Sequence, residues 1–284
     1  MQWQARRERF RAILNGKDCI HPASVFDPLS ARTAEHLGFE LAMLAGSTAS
    51  LTVLGAPDLV LLTASEFAEQ AQRICRAMNL PLLVDADHGY GNALNVARTI
   101  EELATVGVSA ATIEDTDLPL TYGTKGKATL IPVEEGVGKM RAALAARPDL
   151  AFAVIGRTSA PAISNIDDTV RRLVSYERAG VDALFIVGLK SLADLKAIAA
   201  ATTLPLILGN ISGDLVGADL AVQRVRISLQ GHAPIMAAVQ AVYDTMKALR
   251  EGTRPAELKN VASAALMATL TRAAHYDQAT RDYL

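Results

Sequence analysis

Two acidic clusters, Asp85-Ala86-Asp87-His88-Gly89-Tyr90-Gly91 and Glu114-Asp115-Thr116, are where this chain could do chemistry. Each closes a short apolar run, residues 81–88 and 110–116, so the acids fall where strands should end. The i, i+2 spacing of Asp85 and Asp87 sends both carboxylates to one side if the strand persists that far. Carboxylates gathered at neighbouring strand ends repel one another and take up protons unless a cation compensates them. With oxygen ligands and no set of histidines and cysteines, a hard cation is expected, Mg²⁺ with Mn²⁺ as substitute, rather than Zn²⁺. Mg²⁺ keeps several of its waters, so one or two direct contacts among Asp85, Asp87 and Glu114 are enough. The competing role for a strand-end aspartate is a helix cap, which explains a single acid better than a D-x-D beside an E-D. His88 is open to a ligand role or to a structural one in its glycine-flanked turn.

Positive and hydrogen-bonding groups end other apolar runs. Gly46 and Ser47, in Ala45-Gly46-Ser47-Thr48-Ala49-Ser50, offer backbone N–H groups near a helix start, a cradle for a carboxylate or enolate oxygen. Arg157 closes Ala153-Val154-Ile155-Gly156-Arg157 and needs an anion there, either a substrate carboxylate or the acids themselves. Asn210 and His232 follow later runs, in Leu208-Gly209-Asn210 and Gln230-Gly231-His232, and each is open to substrate contact or to a turn or cap role. Asp58, after Pro57, divides evenly between a site role and a cap.

These groups need elements that converge. Runs rich in Val, Ile, Leu and Ala cover residues 21–27, 39–47, 81–88, 110–116, 152–158, 183–189, 204–210 and 222–230. Most lack the alternation of a half-exposed strand, so they read as buried on both faces. Amphipathic segments separate them, among them 65–78, 92–106, 133–146, 167–179 and 191–201, and the repetition of strand and helix predicts a parallel sheet. Eight such units in 284 residues predict an α/β chain folded as one (β/α)₈ barrel over about residues 18–250, whose C-terminal strand ends form a common mouth. An open doubly wound sheet would carry G-x-G-x-x-G after the first strand, where this chain has Phe26-Asp27-Pro28. Beyond Gly252-Thr253-Arg254-Pro255, a helical pattern at 257–273 is expected to pack on something.

Half the residues are apolar, a fifth are charged, aromatics make up 5%, and the net charge is −2. That balance gives no footprint for nucleic acid or an anionic membrane and leaves small-molecule chemistry. Cys19 and Cys75 have no framework spacing, and Arg6, Arg7, Arg9 and Arg11 precede no apolar signal segment. A cytoplasmic location is therefore expected.

The stretches Phe26-Asp27-Pro28-Leu29-Ser30-Ala31, Gly46-Ser47 with Gly55-Ala56-Pro57-Asp58, Asp85-Ala86-Asp87-His88-Gly89-Tyr90-Gly91-Asn92, Ile113-Glu114-Asp115 and Pro132-Val133-Glu134-Glu135 resemble the isocitrate lyase and phosphoenolpyruvate mutase superfamily over nearly the whole chain. The resemblance implies a Mg²⁺-dependent barrel that handles a pyruvate enolate, assembled as a homotetramer, a dimer of dimers, with the C-terminal helix on a neighbouring subunit. The superfamily's isocitrate-type lyases carry a Lys-(Lys/Arg)-Cys-Gly-His loop after the fourth strand, whereas residues 120–129 here read LTYGTKGKAT, without cysteine or histidine. Within the superfamily the chain most resembles the bacterial oxaloacetate decarboxylases, sharing Ser-Val-Phe-Asp-Pro at 24–28 and Val-Glu-Glu-Gly-Val-Gly-Lys at 133–139. By that resemblance Ser47, Arg157 and His232 contact a small α-keto dicarboxylate and Asp85 binds Mg²⁺. Where those enzymes have Tyr-Gly-Asn after the seventh strand, this chain has Gly209-Asn210-Ile211 in a slightly shorter segment, so one tyrosine contact is lost. Alternatives are a methylisocitrate- or 2-methylmalate-type lyase, phosphonopyruvate chemistry drawing on Lys125 and Lys127, a Schiff-base aldolase through Lys190, and a barrel without turnover.

Overall fold

The computed structural model describes residues 3–284. Eight parallel strands run in sequence order: β1 (Ala23–Ser24), β2 (Ala42–Leu44), β3 (Leu82–Asp85), β4 (Ala110–Glu114), β5 (Ala153–Thr158), β6 (Ala183–Ile186), β7 (Leu206–Leu208) and β8 (Val225–Ser228). The sheet closes on itself just before β1, where Ile20 pairs with Ile227 and the Ser228 N–H donates to the Ile20 carbonyl at 2.9 Å. The fold is therefore the expected (β/α)₈ barrel. The strands are shorter than the apolar runs that announce them, because the C-terminal residues of each run leave the ladder to form the mouth.

The helices are α1 (Gln4–Leu14), α2 (Pro28–His36), α3 (Gly46–Ala49), α4 (Ala64–Ala77), α5 (Ala93–Thr105), α6 (Val133–Ala146), α7 (Ala160–Ile163), α8 (Ile166–Ala179), α9 (Leu192–Ala201), α10 (Ala233–Arg250), α11 (Ala264–Thr271) and α12 (Ala273–Tyr283). Local chemistry sets their starts. Asp27 and Ser30 cap α2 reciprocally, Thr63 and Glu66 cap α4, and Asn92 and Asn95 cap α5. Asn165 caps α8, and Gly180, at φ 102°, ends it in a conformation that suits glycine.

Two periodicities fill the interior. Alternate strand residues Leu41, Met43, Leu83, Ala110, Ala153, Ile155, Ala183, Phe185, Ile207 and Ile227 fill the barrel, whose N-terminal end is plugged by Phe10 and Leu14 of α1. The intervening residues, such as Leu82, Val84, Ala111, Val154 and Leu184, face the helices. The N-terminal arginines fasten the plug: Arg7 pairs with Asp149 at 2.6 Å and Arg11 with Asp182 at 2.7 Å.

The C-terminal tail departs from the sequence expectation. Residues 257–273 are not one helix: a short turn at Pro255–Glu257 gives way to irregular chain, Ser263 caps α11 from 3.1 Å, and Arg272, at φ 58°, breaks it from α12. Leu270 is buried and the Leu270 carbonyl accepts from Arg32 of α2 at 3.2 Å, so this part of the tail lies on its own barrel. In α10, by contrast, Met236, Val239, Val242, Tyr243 and Met246 are all more than half exposed. Among the described residues, no helix is long and apolar enough to cross a membrane.

Candidate active site

The inward rows of the barrel change character at its mouth. On β3 the row runs from Leu83 to Asp85, on β4 from Ala110 through Thr112 to Glu114, and on β5 from Ala153 through Ile155 to Arg157. Two-residue alternation thus carries three charged side chains onto the top of an apolar core. They meet in a cavity of about 380 Å³ whose lining includes Ser47, Asp58, Asp85, Asp87, Glu114, Arg157, Asn210 and His232. Gly46 is absent from that lining but lies directly behind Asp87.

Asp87 arrives by a different route from the one its spacing suggests. β3 ends at Asp85, and Asp87 adopts φ 47°, an uncommon conformation for a residue with a side chain. The turn is held from both sides: the Glu114 N–H donates to the Asp87 carbonyl at 2.8 Å, and the Asp87 N–H donates to Asp85 Oδ1 at 3.2 Å. A Cβ on Gly46 would lie 2.7 Å from both carboxylate oxygens of Asp87, so the acid sits where only glycine leaves room. Gly46→Ala is expected to displace Asp87 and lower kcat/KM by about tenfold to a hundredfold with the barrel intact, an effect of the size seen when groups supporting a catalytic centre are disturbed. Steady-state kinetics beside circular dichroism would check it.

Arg157 realises the acid-pairing alternative. Its Nη1 donates to Asp85 Oδ2 and its Nη2 lies 3.4 Å from Glu114 Oε2, with the guanidinium over the Phe185 ring. Burial works against its charge, but Asp85 and Glu114 outweigh that and raise its pKa. Asp85 Oδ1 also accepts from Thr112 at 3.1 Å, and Glu114 Oε2 from Thr116 at 2.9 Å. These two threonines were not singled out from sequence, although Thr112 shares the inward row with Glu114. None of the acids caps a neighbouring helix; Asn92 does that for α5.

Charge in the cavity is unbalanced. Asp58, Asp85, Asp87 and Glu114 face Arg157, the lone Lys or Arg of the lining among the described residues. Burial, with Asp85 and then Glu114 beside it, pushes Asp87 well above the ordinary carboxylate range, and no donor to its carboxylate is found among the described residues. Burial also raises Glu114, against the pull of Arg157. Burial, with Asp85 beside it, likewise raises Asp58. An oxygen-rich cavity whose four carboxylates share one guanidinium fits a hard divalent cation. Among the described residues, however, no three His, Cys, Asp or Glu side chains converge as a ready-made cage, because Arg157 stands between Asp85 and Glu114.

Asp115 turns the other way, as strand alternation requires. Its Oδ2 accepts from the Tyr176 hydroxyl at 2.6 Å and from Arg172 Nη1 at 3.0 Å, and Arg172 also donates to the Ile131 carbonyl at 3.0 Å. This buried network backs Glu114 and anchors the far end of the loop after β4. Arg172 reaches Asp168 as well, at 2.9 Å. Burial works against the charge of Asp168, but bonds from Arg171, Arg172 and Ser164 outweigh it and hold the carboxyl at about 2, below its ordinary 3.8. Its contribution to stability is therefore complete above the ordinary value and lost as pH falls from about 4 to about 2. Asp168→Asn should flatten the stability profile in that window, as read from urea midpoints.

Several candidates lie elsewhere. His88 is buried but does not line the cavity, and its carbonyl accepts from Lys139 at 3.0 Å. Lys190 is exposed and absent from the lining, which removes the basis of the Schiff-base alternative. Lys125 and Lys127 are exposed on the loop after β4 and do not line the cavity, whereas Leu118 and Ala128 of that loop do. Asn210 packs against the Gly231 turn that leads to His232. Burial lowers the pKa of His232, against the pull of Asp85 and Asp58.

Known proteins resemble this chain along its whole length. It is 58% identical over 275 residues to an oxaloacetate decarboxylase of Bradyrhizobium diazoefficiens, covering 96% of this chain and 95% of that one. A phosphonopyruvate hydrolase solved with oxalate and Mg²⁺ superposes with a TM-score of 0.85 at 29% identity, covering 98% and 99% of the two chains. An oxaloacetate acetylhydrolase solved with the inhibitor 3,3-difluorooxalacetate superposes with a TM-score of 0.84 at 26% identity, covering 98% and 97%. The profile of the family described as phosphoenolpyruvate phosphomutase matches residues 10–250, and the chain belongs to that family, within the isocitrate lyase and phosphoenolpyruvate mutase superfamily.

Proposed function

We propose that this cavity decarboxylates oxaloacetate to pyruvate and CO₂. The observation that carries the reading is the charge imbalance: four carboxylates and one arginine surround a space of small-molecule size. A dianionic substrate enters such a space only with a cation, and Asp85, Asp87 and Glu114 are the residues that would hold it, as Mg²⁺ or, in substitution, Mn²⁺. When bound, the ion supplies positive charge that draws electrons away from an α-keto carboxylate. The likeness to oxaloacetate decarboxylase at 58% identity supports the substrate.

We assign Arg157, Ser47 and His232, which line the cavity, to the substrate's carboxylates, Arg157 while it also holds Asp85 and Glu114, and Gly46 and Ser47 begin α3, where first-turn N–H groups lack helical acceptors. As the C3–C4 bond breaks, its electron pair passes toward the C2 carbonyl, giving the enolate of pyruvate and CO₂. That step needs no general base, which suits a loop without cysteine or histidine. C3 then takes a proton, and Asp58, which lines the cavity and whose pKa burial raises, is the side chain we assign to deliver it.

The test is a panel of oxaloacetate, methylisocitrate, isocitrate, 2-methylmalate and phosphonopyruvate, with pyruvate and CO₂ followed separately. Equal release of both from oxaloacetate alone, abolished by EDTA and restored by Mg²⁺, is expected; turnover of another member instead would overturn the assignment. The exposed apolar residues of α10 support self-association, which we propose to be tetrameric, and sedimentation would read it.

A further inference from the structure

His232 and Ser24 come from opposite ends of the chain and meet across the seam where the barrel closes. Ser24 ends β1, His232 immediately precedes α10, and Ser24 Oγ lies 2.9 Å from His232 Nδ1. The seam holds them in register: Ile20 pairs with Ile227, and His21 Nδ1 lies 2.8 Å from the Ser228 carbonyl. Among the described residues, His232 makes no other side-chain hydrogen bond and does not cap its helix. With Nδ1 occupied by Ser24, Nε2 is the nitrogen left for the cavity that His232 lines.

A neutral imidazole carries one N–H, and the bond made by one ring nitrogen decides what the other presents. If Ser24 donates to Nδ1, the proton is on Nε2 and the cavity receives a donor. If Ser24 accepts from Nδ1–H, the cavity receives a lone pair, which repels a carboxylate. The serine hydroxyl can do either, but an anionic substrate favours only the first arrangement.

We propose that Ser24 is a positioning residue: its hydroxyl donates to His232 Nδ1, fixes the ring and its tautomer, and so presents Nε2–H to a carboxylate of the substrate. The kinetic part of this inference rests on the oxaloacetate reading; the tautomer rests only on the cavity taking an anion at Nε2, whichever anion that is. Groups that orient a catalytic ring are commonly worth about tenfold to a hundredfold in activity.

The experiment uses the full chain in two measurements. Nitrogen-15 NMR of the histidine rings, without substrate, should show His232 as a single Nε2–H tautomer in the wild type, a mixture in Ser24→Ala, and the single form again in Ser24→Thr, which keeps the hydroxyl. With oxaloacetate, Ser24→Ala should lower kcat/KM by about tenfold, Ser24→Thr should restore most of it, and Ser24→Ala should cost nothing further in a His232→Gln background. An unchanged tautomer in Ser24→Ala, or an equal loss in the His232→Gln background, overturns the proposal. If the wild type leaves oxaloacetate untouched, the reaction has been misassigned, and the ring spectra still decide the role of Ser24.

Discussion

Asp85→Ala is expected to reduce oxaloacetate turnover by about a thousandfold or more while the barrel stays folded, in line with the loss of a principal electrostatic group from a catalytic centre. Asp85 is bonded to Thr112, to the Asp87 N–H and to Arg157. Its removal therefore loosens the turn that carries Asp87 and takes away one of the carboxylates that would hold the cation. Arg157 keeps Glu114 at 3.4 Å, so the buried guanidinium is not stranded and the cost in stability is contained. Turnover at saturating Mg²⁺, read beside a thermal melt, separates the two effects. Activity near that of the wild type would remove the acid cluster from the chemistry.

Arg157→Ala should be nearly as damaging to activity and more damaging to the fold. The substitution leaves Asp85, Glu114 and Asp87 facing one another without their guanidinium. Breaking a buried ion pair from one side costs about 3–5 kcal/mol, and protonation of the acids recovers part of it. Added Mg²⁺ should therefore raise the melting temperature of Arg157→Ala more than that of the wild type. Arg157→Lys keeps a charge but not the fork that reaches Asp85 and Glu114 together, so it should recover stability better than activity. Melting curves with and without Mg²⁺, set against kcat and KM, read both parts.

The two substitutions rest on parts of the site that differed in how far the sequence revealed them. Asp85, Glu114 and Arg157 were legible because each ends an apolar run, and alternation along a strand carries such residues to the barrel mouth. Asp87 was legible as an acid but not in its geometry: a left-handed backbone at an aspartate leaves no pattern, and its fit against Gly46 depends on a chain segment some 40 residues away. Thr112 reads in sequence as an ordinary strand former. Ser24 gains meaning only when closure brings it to a residue 208 positions later. The tail misled because Leu258, Val261, Ala265, Leu266 and Leu270 fit a helical spacing, whereas Asn260, at φ 60°, and the Ser263 cap place the helix start later.

The chemistry turns on which carbon–carbon bond of oxaloacetate is cut. Its sharpest test is NMR of the reaction with oxaloacetate carrying carbon-13 at C4, with Mg²⁺ present. Decarboxylation sends all the label out as CO₂ and bicarbonate while unlabelled pyruvate accumulates in equal amount. Label retained in acetate, with oxalate as the other product, would mean hydrolysis of the C2–C3 bond instead and would contradict it.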